Sequence, residues 1–358
     1  MGLLMANRAL IRSTAVVESF VLSIDTSLGT GNTFTLPLPS GQTYDFWWNP
    51  GDGSADRHVT AYNDATATYD YGVDFSGQIS IGLNAGDKCG GWSFANGGDK
   101  LKVTSVDQWG DVGFDYLSGA FRGCTNLINL TSHITGAENV SDFSLMFFGC
   151  TSFTELPELL FSECINATKF TQTFRACINL TTIPSNIFIN CSQTLDISNI
   201  FHTCSYLVTI PSNLFDPFVN VTDMSGLFPN CIRLENIPTD LFRYCTSVTS
   251  FASTFFQCTS LRVIPANLFY YNALVTNYSA TFQACKNIVL PGSIFNQSNL
   301  SIVASFANFM SATSTSFSNT GTIQDIWNYA TGATSTDAFL NQTALTNYAS
   351  IPNAWKGL

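Results

Sequence analysis

Val221-Thr-Asp-Met-Ser-Gly-Leu-Phe-Pro-Asn-Cys-Ile-Arg-Leu-Glu-Asn-Ile-Pro238 holds the pattern that organises most of the chain. Its Phe228-x-x-Cys231 centre recurs at Phe121/Cys124, Phe147/Cys150, Phe174/Cys177, Phe201/Cys204, Phe255/Cys258 and Phe282/Cys285. The seven copies are spaced by 26 residues once and then by 27 residues five times. Three residues after each Cys stands an apolar residue: Leu127, Phe153, Leu180, Leu207, Leu234, Leu261 and Ile288. Three further on come Leu130, Leu156, Ile183, Ile210, Ile237 and Ile264, and Pro follows at 157, 184, 211, 238 and 265. The seventh copy is one residue short and reaches Pro291. A fixed period of this length means one structural unit stacked on copies of itself, because a single unit cannot bury its apolar side alone.

Four residues before each motif Phe lies another apolar column: Leu117, Phe143, Phe170, Ile197, Met224, Phe251 and Tyr278. With the Phe and Cys, these positions fall at i, i+4 and i+7, one face of a helix. Ser141, Thr222 and Thr249 stand where a side-chain oxygen caps a first turn. The spacing therefore predicts a short amphipathic helix in every repeat. The segment after it, such as Leu180-Thr-Thr-Ile-Pro184, is β-branched and ends in Pro, which predicts a short bent strand. A second half-repeat follows at Leu160-Phe161, Ile187-Phe188, Leu214-Phe215, Leu241-Phe242, Leu268-Phe269 and Ile294-Phe295. It ends in Cys at 164, 191 and 245, but in Phe218 and Asn272 elsewhere.

Only 11% of the 358 residues are charged, while 45% are apolar and thirty are Phe. Soluble domains usually carry about 25% charge. Stacking explains the deficit, since the apolar columns face neighbouring repeats and Asn, Thr and Ser remain for the outside. The net charge of −11 argues against nucleic acid, whose phosphates need clustered Lys and Arg. No apolar run reaches the roughly twenty residues of a membrane span. Arg8 and Arg12 interrupt the only stretch resembling a signal-peptide core, so no signal peptide is expected.

Eleven cysteines raise the question of disulfides. Cys204, Cys231, Cys258 and Cys285 lack second-column partners, and equivalent positions on packed helices lie roughly 8–10 Å apart, too far for a bridge. Buried reduced thiols acting as small apolar fillers are expected. His58, His133 and His202 show no metal-ligand spacing, and no Cys-x-x-Cys pair occurs, so neither a metal nor a cofactor is expected.

Residues 17–110 differ in kind. Phe20–Asp25, Thr33–Leu38 and Gln78–Leu83 alternate like strands, and the turn-rich Asn49-Pro-Gly-Asp-Gly-Ser54 follows Phe46-Trp-Trp48. A small β-sandwich is predicted. Thirteen acids against six bases up to Tyr116 place −7 of the net charge there. Asp52 and Asp56 read as solvated turn acids, because the spacing of a calcium loop is not matched. The tail, from Ile323 to Trp355, departs from the pattern and reads as a cap.

The 221–238 repeat resembles the BspA-like leucine-rich repeats of bacterial and phage surface proteins, over about residues 115–310. Trp48-Asn-Pro-Gly-Asp-Gly-Ser54, Tyr69-Asp-Tyr71 and Gln108-Trp-Gly110 resemble a polycystic-kidney-disease-type, immunoglobulin-like module. The expected fold is α+β and multidomain: an N-terminal arm (1–16), an immunoglobulin-like β-sandwich (17–114), a leucine-rich-repeat-like solenoid (115–320) and a C-terminal cap (321–358). The resemblance implies adhesion or virion structure and carries no catalytic residues. No nucleophile elbow, phosphate loop or His-Glu-x-x-His occurs, so an enzyme is not expected. The expected role is a virion structural or appendage protein that recognises a host surface, with a secreted adhesin or a receptor-free decoration as alternatives. Partners are then other virion proteins, a host cell-surface protein or glycan, or a second copy of the chain, with no membrane insertion. Residues that vary at equivalent places form the expected recognition face: Tyr206, Arg233 and Arg262, with Thr125, Asn126, Ile178, Asn179, Glu235 and Lys286 around them.

Overall fold

The structure, a computed structural model, describes residues 18–312 and 319–358. The N-terminal arm and the Arg8/Arg12 reading lie outside the described residues.

In β1 (Phe20–Asp25), alternation sends Phe20, Leu22 and Ile24 inward. In β3 (Tyr44–Asn49) it does the same for Tyr44, Phe46 and Trp48. With β4 (Arg57–Val59), β6 (Ser76–Ile81), β8 (Val103–Gln108) and β9 (Asn129–Leu130) they form a sheet in the order β4-β3-β6-β1-β8-β9, and β7 (Lys88–Cys89) pairs with the start of β3. β2 (Thr33–Thr35) and β5 (Thr68–Asp70) make a separate two-stranded ribbon. The predicted strands exist, but the immunoglobulin-like sandwich does not. The cause lies at β8: its outer edge pairs in parallel with β9, Ser105 opposite Asn129 and Val106 opposite Leu130, so the sheet runs on into the first repeat. Beneath the ribbon, the fully buried Lys102 is held by Asp99 at 2.8 Å and by the carbonyls of Thr33 and Thr30 at 2.6 and 3.0 Å. Three acceptors around one ammonium meet the condition for burying a charge.

The repeats correct the sequence reading more deeply. The described residues are mostly strands and loops in mixed sheets, and neither amphipathic helices nor a leucine-rich-repeat solenoid forms among them. Among the described residues the helical elements are 3-10 turns and one α-helix, Asn353–Lys356. Residues 170–177 show why. Phe170, Gln172, Phe174 and Ala176 donate their N–H groups to the carbonyls of Asp196, Ser198, Ile200 and His202 at 2.8–3.0 Å. Thr173, Arg175 and Cys177 donate to the residue three positions back instead, at 3.1–3.2 Å. A helix needs every N–H to reach four residues back; here every second one is committed to the next repeat. The backbone pays for this geometry with left-handed residues two before and two after the motif Phe: Gln172 and Ala176 (φ 57° and 60°), Asn199 and Thr203 (56° and 63°), Ser253 and Gln257 (56° and 58°).

Side chains then stack in register. The motif rings from Phe121 through Phe147, Phe174, Phe201, Phe228 and Phe255 to Phe282 lie 5.5–5.7 Å apart and within 10° of parallel. Isolated parallel bridges run beside them from Asp142 through Lys169, Asp196, Asp223, Ser250, Asn277 and Ser305 to Thr334. One hydrophobic core extends from Phe20 to Trp355. The ladder also outruns the seven legible copies. Trp92 and Phe94 donate to Tyr116 and Ala120, while Asn308 and Met310 donate to Thr336 and Ala338. Trp355 closes the far end, accepting from Phe339 N–H and lying 5.6 Å from the Phe306 ring.

The left-handed positions give a sign test. Gly149 (φ 72°) has room for a methyl group, whose nearest neighbour would be Gly123 Cα at 3.9 Å. In a helix interior Gly149→Ala adds about 1 kcal/mol of stability. In the left-handed conformation it costs about 1–2 kcal/mol, partly offset in the unfolded chain. Urea unfolding should show a loss of about 1 kcal/mol, and a gain would restore the helix.

Candidate functional site

The columns divide the repeat into an inward side and an outward side. Inward, Phe121, Cys124, Phe147, Cys150, Phe174, Cys177, Phe201, Cys204, Phe228, Cys231, Phe255, Cys258, Phe282 and Cys285 are all at most 1% exposed. All eleven cysteines are free and buried. They are more than fillers. Each first-column thiol from Cys150 to Cys285 reaches the carbonyl of the preceding repeat's motif Phe, as Cys177 reaches Phe147 and Cys204 reaches Phe174, both at 3.2 Å. In the second column Cys191 and Cys245 reach Phe161 and Phe215 at 3.5 and 3.7 Å, and where Asn272 replaces Cys its Nδ2 donates to Phe242 at 3.0 Å. A small donor at these positions pairs a carbonyl whose burial without a partner costs about 1–3 kcal/mol, although Phe218 fills the second-column place by apolar packing alone. The expectation of free thiols holds, but its reason changes: with no packed helices to hold them apart, the thiols are occupied by carbonyls instead.

Outward, the structure brings two of the three expected recognition residues together. Arg233 lies over the Tyr206 ring, 3.9 Å from its centroid, and Tyr206 is 41% exposed. The two share a column, five residues after successive motif Phe residues. Ile178 and Ile232, both exposed, flank them one position earlier. Arg262 stands two positions further along its own repeat, where its N–H donates to the Glu235 carbonyl at 3.1 Å. Asn126 and Asn179 are less free than expected: their amides donate to the carbonyls of Leu101 and Thr151 at 2.7 and 2.9 Å.

Elsewhere, neighbouring side chains hold the titratable groups. His58 meets Asp45 at 2.7 Å and stacks on Trp47, His133 meets Glu163 at 3.5 Å, and His202 meets Asn199 at 3.3 Å and Asn230 at 3.4 Å. Asp52 accepts from Ser54 N–H and Tyr69 OH at 2.9 and 2.8 Å, and hydrogen bonding from Ser54 above all holds its carboxyl below the usual range. Among the described residues no three His, Cys, Asp or Glu side chains gather as a metal site would require. A second outward cluster was not anticipated: Arg243 lies 5.7 Å from the Tyr244 ring and 5.5 Å from the Tyr271 ring, and Tyr270 meets Tyr271 edge-on at 5.3 Å. Its signal was legible in Phe242-Arg-Tyr-Cys245 and Phe269-Tyr-Tyr-Asn272, aromatic pairs at equivalent places in adjacent copies.

These features define a repeat protein with a hydrogen-bonded interior and side chains that differ from copy to copy outside. A family model described as "Mycoplasma protein of unknown function, DUF285" matches residues 93–214 and 195–322, more than half of the chain, and the chain belongs to that family. The first match begins beside Phe94, where the hydrogen-bonded ladder begins. The match agrees with the BspA-like repeat resemblance and gives no support to a polycystic-kidney-disease-type module or a phage origin. No curated protein matches the chain.

Burial pushes the thiols up, to about 12 at Cys191 and Cys285 and further at others such as Cys177 and Cys204. Their stabilising contribution is therefore complete below the unfolded pKa of about 8.5 and is lost as pH rises toward the folded values. Each thiol costs about 1.4 kcal/mol per pH unit above that point. Eleven together exceed a typical domain stability of about 5–15 kcal/mol within roughly one unit. Circular dichroism should show constant structure between about pH 7 and 8 and unfolding complete by about pH 10. Iodoacetamide at about pH 8 should label no thiol in the folded chain and all eleven in denaturant. A chain still folded at about pH 11 would remove the buried thiols from the account.

Proposed function

We propose that the chain is a non-enzymatic recognition protein displayed on a surface, with the repeats as scaffold and the Tyr206–Arg233 face as its contact. The observation that carries the reading is the guanidinium stacked at 3.9 Å on an exposed tyrosine, between exposed Ile178 and Ile232. Tyr and Arg are the residue types in which binding energy concentrates, and a stacked pair is already ordered before a partner arrives. Arg262 and Glu235 extend the same face. The reading assigns no catalytic residue, cofactor or metal to the chain.

Two carriers suit such a protein. As a virion appendage it would join other virion proteins and meet a host cell-surface protein or glycan. As a surface adhesin it would meet the same class of partner from a cell. Locating the chain in purified particles or in the surface fraction of intact cells separates the two.

Binding of the labelled full chain to intact target cells tests the function itself. Tyr206→Ala and Arg233→Ala should each weaken binding by about tenfold, the loss of an interface anchor. Unchanged binding by both variants would sink the assignment of this face.

A further inference from the structure

The seventh repeat reaches Pro291 one residue early, and the structure shows the consequence. Just before it the second half-repeat reaches the next copy through the backbone: Asn267 and Phe269 donate to the carbonyls of Ser293 and Ile294, both at 3.0 Å. Past it the acceptor is a side chain. Ile294 and Phe295 donate to the side-chain Oε1 of buried Gln324 at 3.1 Å in place of a backbone carbonyl ahead, and Gln324 Nε2 returns to the Phe295 carbonyl at 3.3 Å. A cleft of about 280 Å³ lies beside Gln324, lined by Asn267, Tyr270, Gly292, Ser293, Asn296 and Gln324 among others. A β-carbon built on Gly292 would meet nothing within 4 Å.

We propose that this cleft and the tyrosines on its rim form a binding site for a neutral saccharide. The lining holds amides and a hydroxyl and no charged residue. Asn267 is held in the left-handed conformation (φ 60°), its Oδ1 meets Ser293 Oγ at 3.4 Å, and its Nδ2 has no partner among the described residues. Tyr270 stands at the rim, 43% exposed, edge-on to Tyr271, which Arg243 braces together with Tyr244. A wholly apolar ligand would bury the Asn267 Nδ2 without a partner, which is costly. An anion would find no cation inside the cleft. A sugar ring offers hydroxyls around its edge and a C–H face to lay on an aromatic ring, and so matches amides in the cleft and tyrosine at the rim. The site lies in a different column from Tyr206 and Arg233 and stands or falls independently of that face.

The test applies the labelled full chain to a printed array of neutral and acidic glycans. Binding confined to neutral glycans is expected, lowered by about tenfold or more in Tyr270→Ala and in Asn267→Gly, which keeps the left-handed backbone. Tyr270→Phe should retain binding because the ring remains. Protection of the buried thiols from iodoacetamide confirms that each variant is folded. The proposal is overturned if no neutral glycan is bound, if only acidic glycans are bound, or if Tyr270→Ala binds as the parent does.

Discussion

Every second backbone N–H of the motif segment is committed to a carbonyl in the following repeat, and the rest of the array follows from that commitment. Phe170, Gln172, Phe174 and Ala176 each pair with a residue 26 positions ahead, so an inserted or deleted residue breaks a row of bonds and not just one. The intervening N–H groups turn back three residues, and alternating between the two destinations forces left-handed backbone at Gln172 and Ala176. Rings at equivalent positions are then set 5.5–5.7 Å apart by the hydrogen bonding, close enough to stack but not to interdigitate. The small interior donors answer the same constraint: carbonyls turned toward the core need partners, and a thiol or a primary amide is compact enough to supply one beside a phenyl ring.

The low charge has the same origin. Thr168, Thr181, Thr249 and Thr276 donate their hydroxyls to carbonyls 27 residues earlier, at 3.0, 3.0, 2.9 and 3.3 Å. Asn166, Asn190 and Asn220 donate their amides 28 residues back, to Glu138, Ser162 and Ser192 at 2.8, 2.7 and 3.2 Å. The neutral polar residues of the outside are thus structural, satisfying backbone edges that water would otherwise cover. A lysine or glutamate there has the wrong length or the wrong polarity for this task. Neutral polarity is a requirement of stacking more than a covering left over from it.

The period, the apolar columns and the buried thiols were legible in the sequence, because stacking repeats the same side chain at the same place. The local conformation was not. Leu117, Phe121 and Cys124 fall at i, i+4 and i+7, which suits a helix and equally suits two turns with a left-handed residue on either side of the Phe. The discriminating signal stood between the columns: Gly119, Gly123, Gly149, Gly226, Asn199 and Asn230 occupy the positions of positive φ, and such residues are poor in helix interiors. Gln172 and Ala176 masked it, since nothing in their chemistry announces left-handed backbone. The copies at Phe309 and Phe339 were hidden because Ala312 and Gln342 stand where Cys marks the others. In the N-terminal half the strands were readable from alternation, but the parallel pairing of Val106 with Leu130 joins residues with no common pattern and sets the sheet's fate. Of the exposed residues, Tyr206 and Arg233 were recognisable as column mates; Tyr270 and Tyr271 were passed over because they follow the weaker half-repeat.

The motif rings keep one register along the array, and concavities lie beside the second half-repeat, at Asn186 and Asn213 between regular copies and at Asn267 and Gln324 beside the short seventh copy. Substitution along an outward column changes the chemistry of the surface without making a concavity, as the Tyr206–Arg233 pair does. The short seventh copy is a fault in that register, and Gln324 shows how it is tolerated: one side chain satisfies two N–H groups and one carbonyl, and the stack continues beyond it from Phe306 to Phe339. A fault without that compensation would leave buried N–H groups unpaired and would end the ladder instead of notching it.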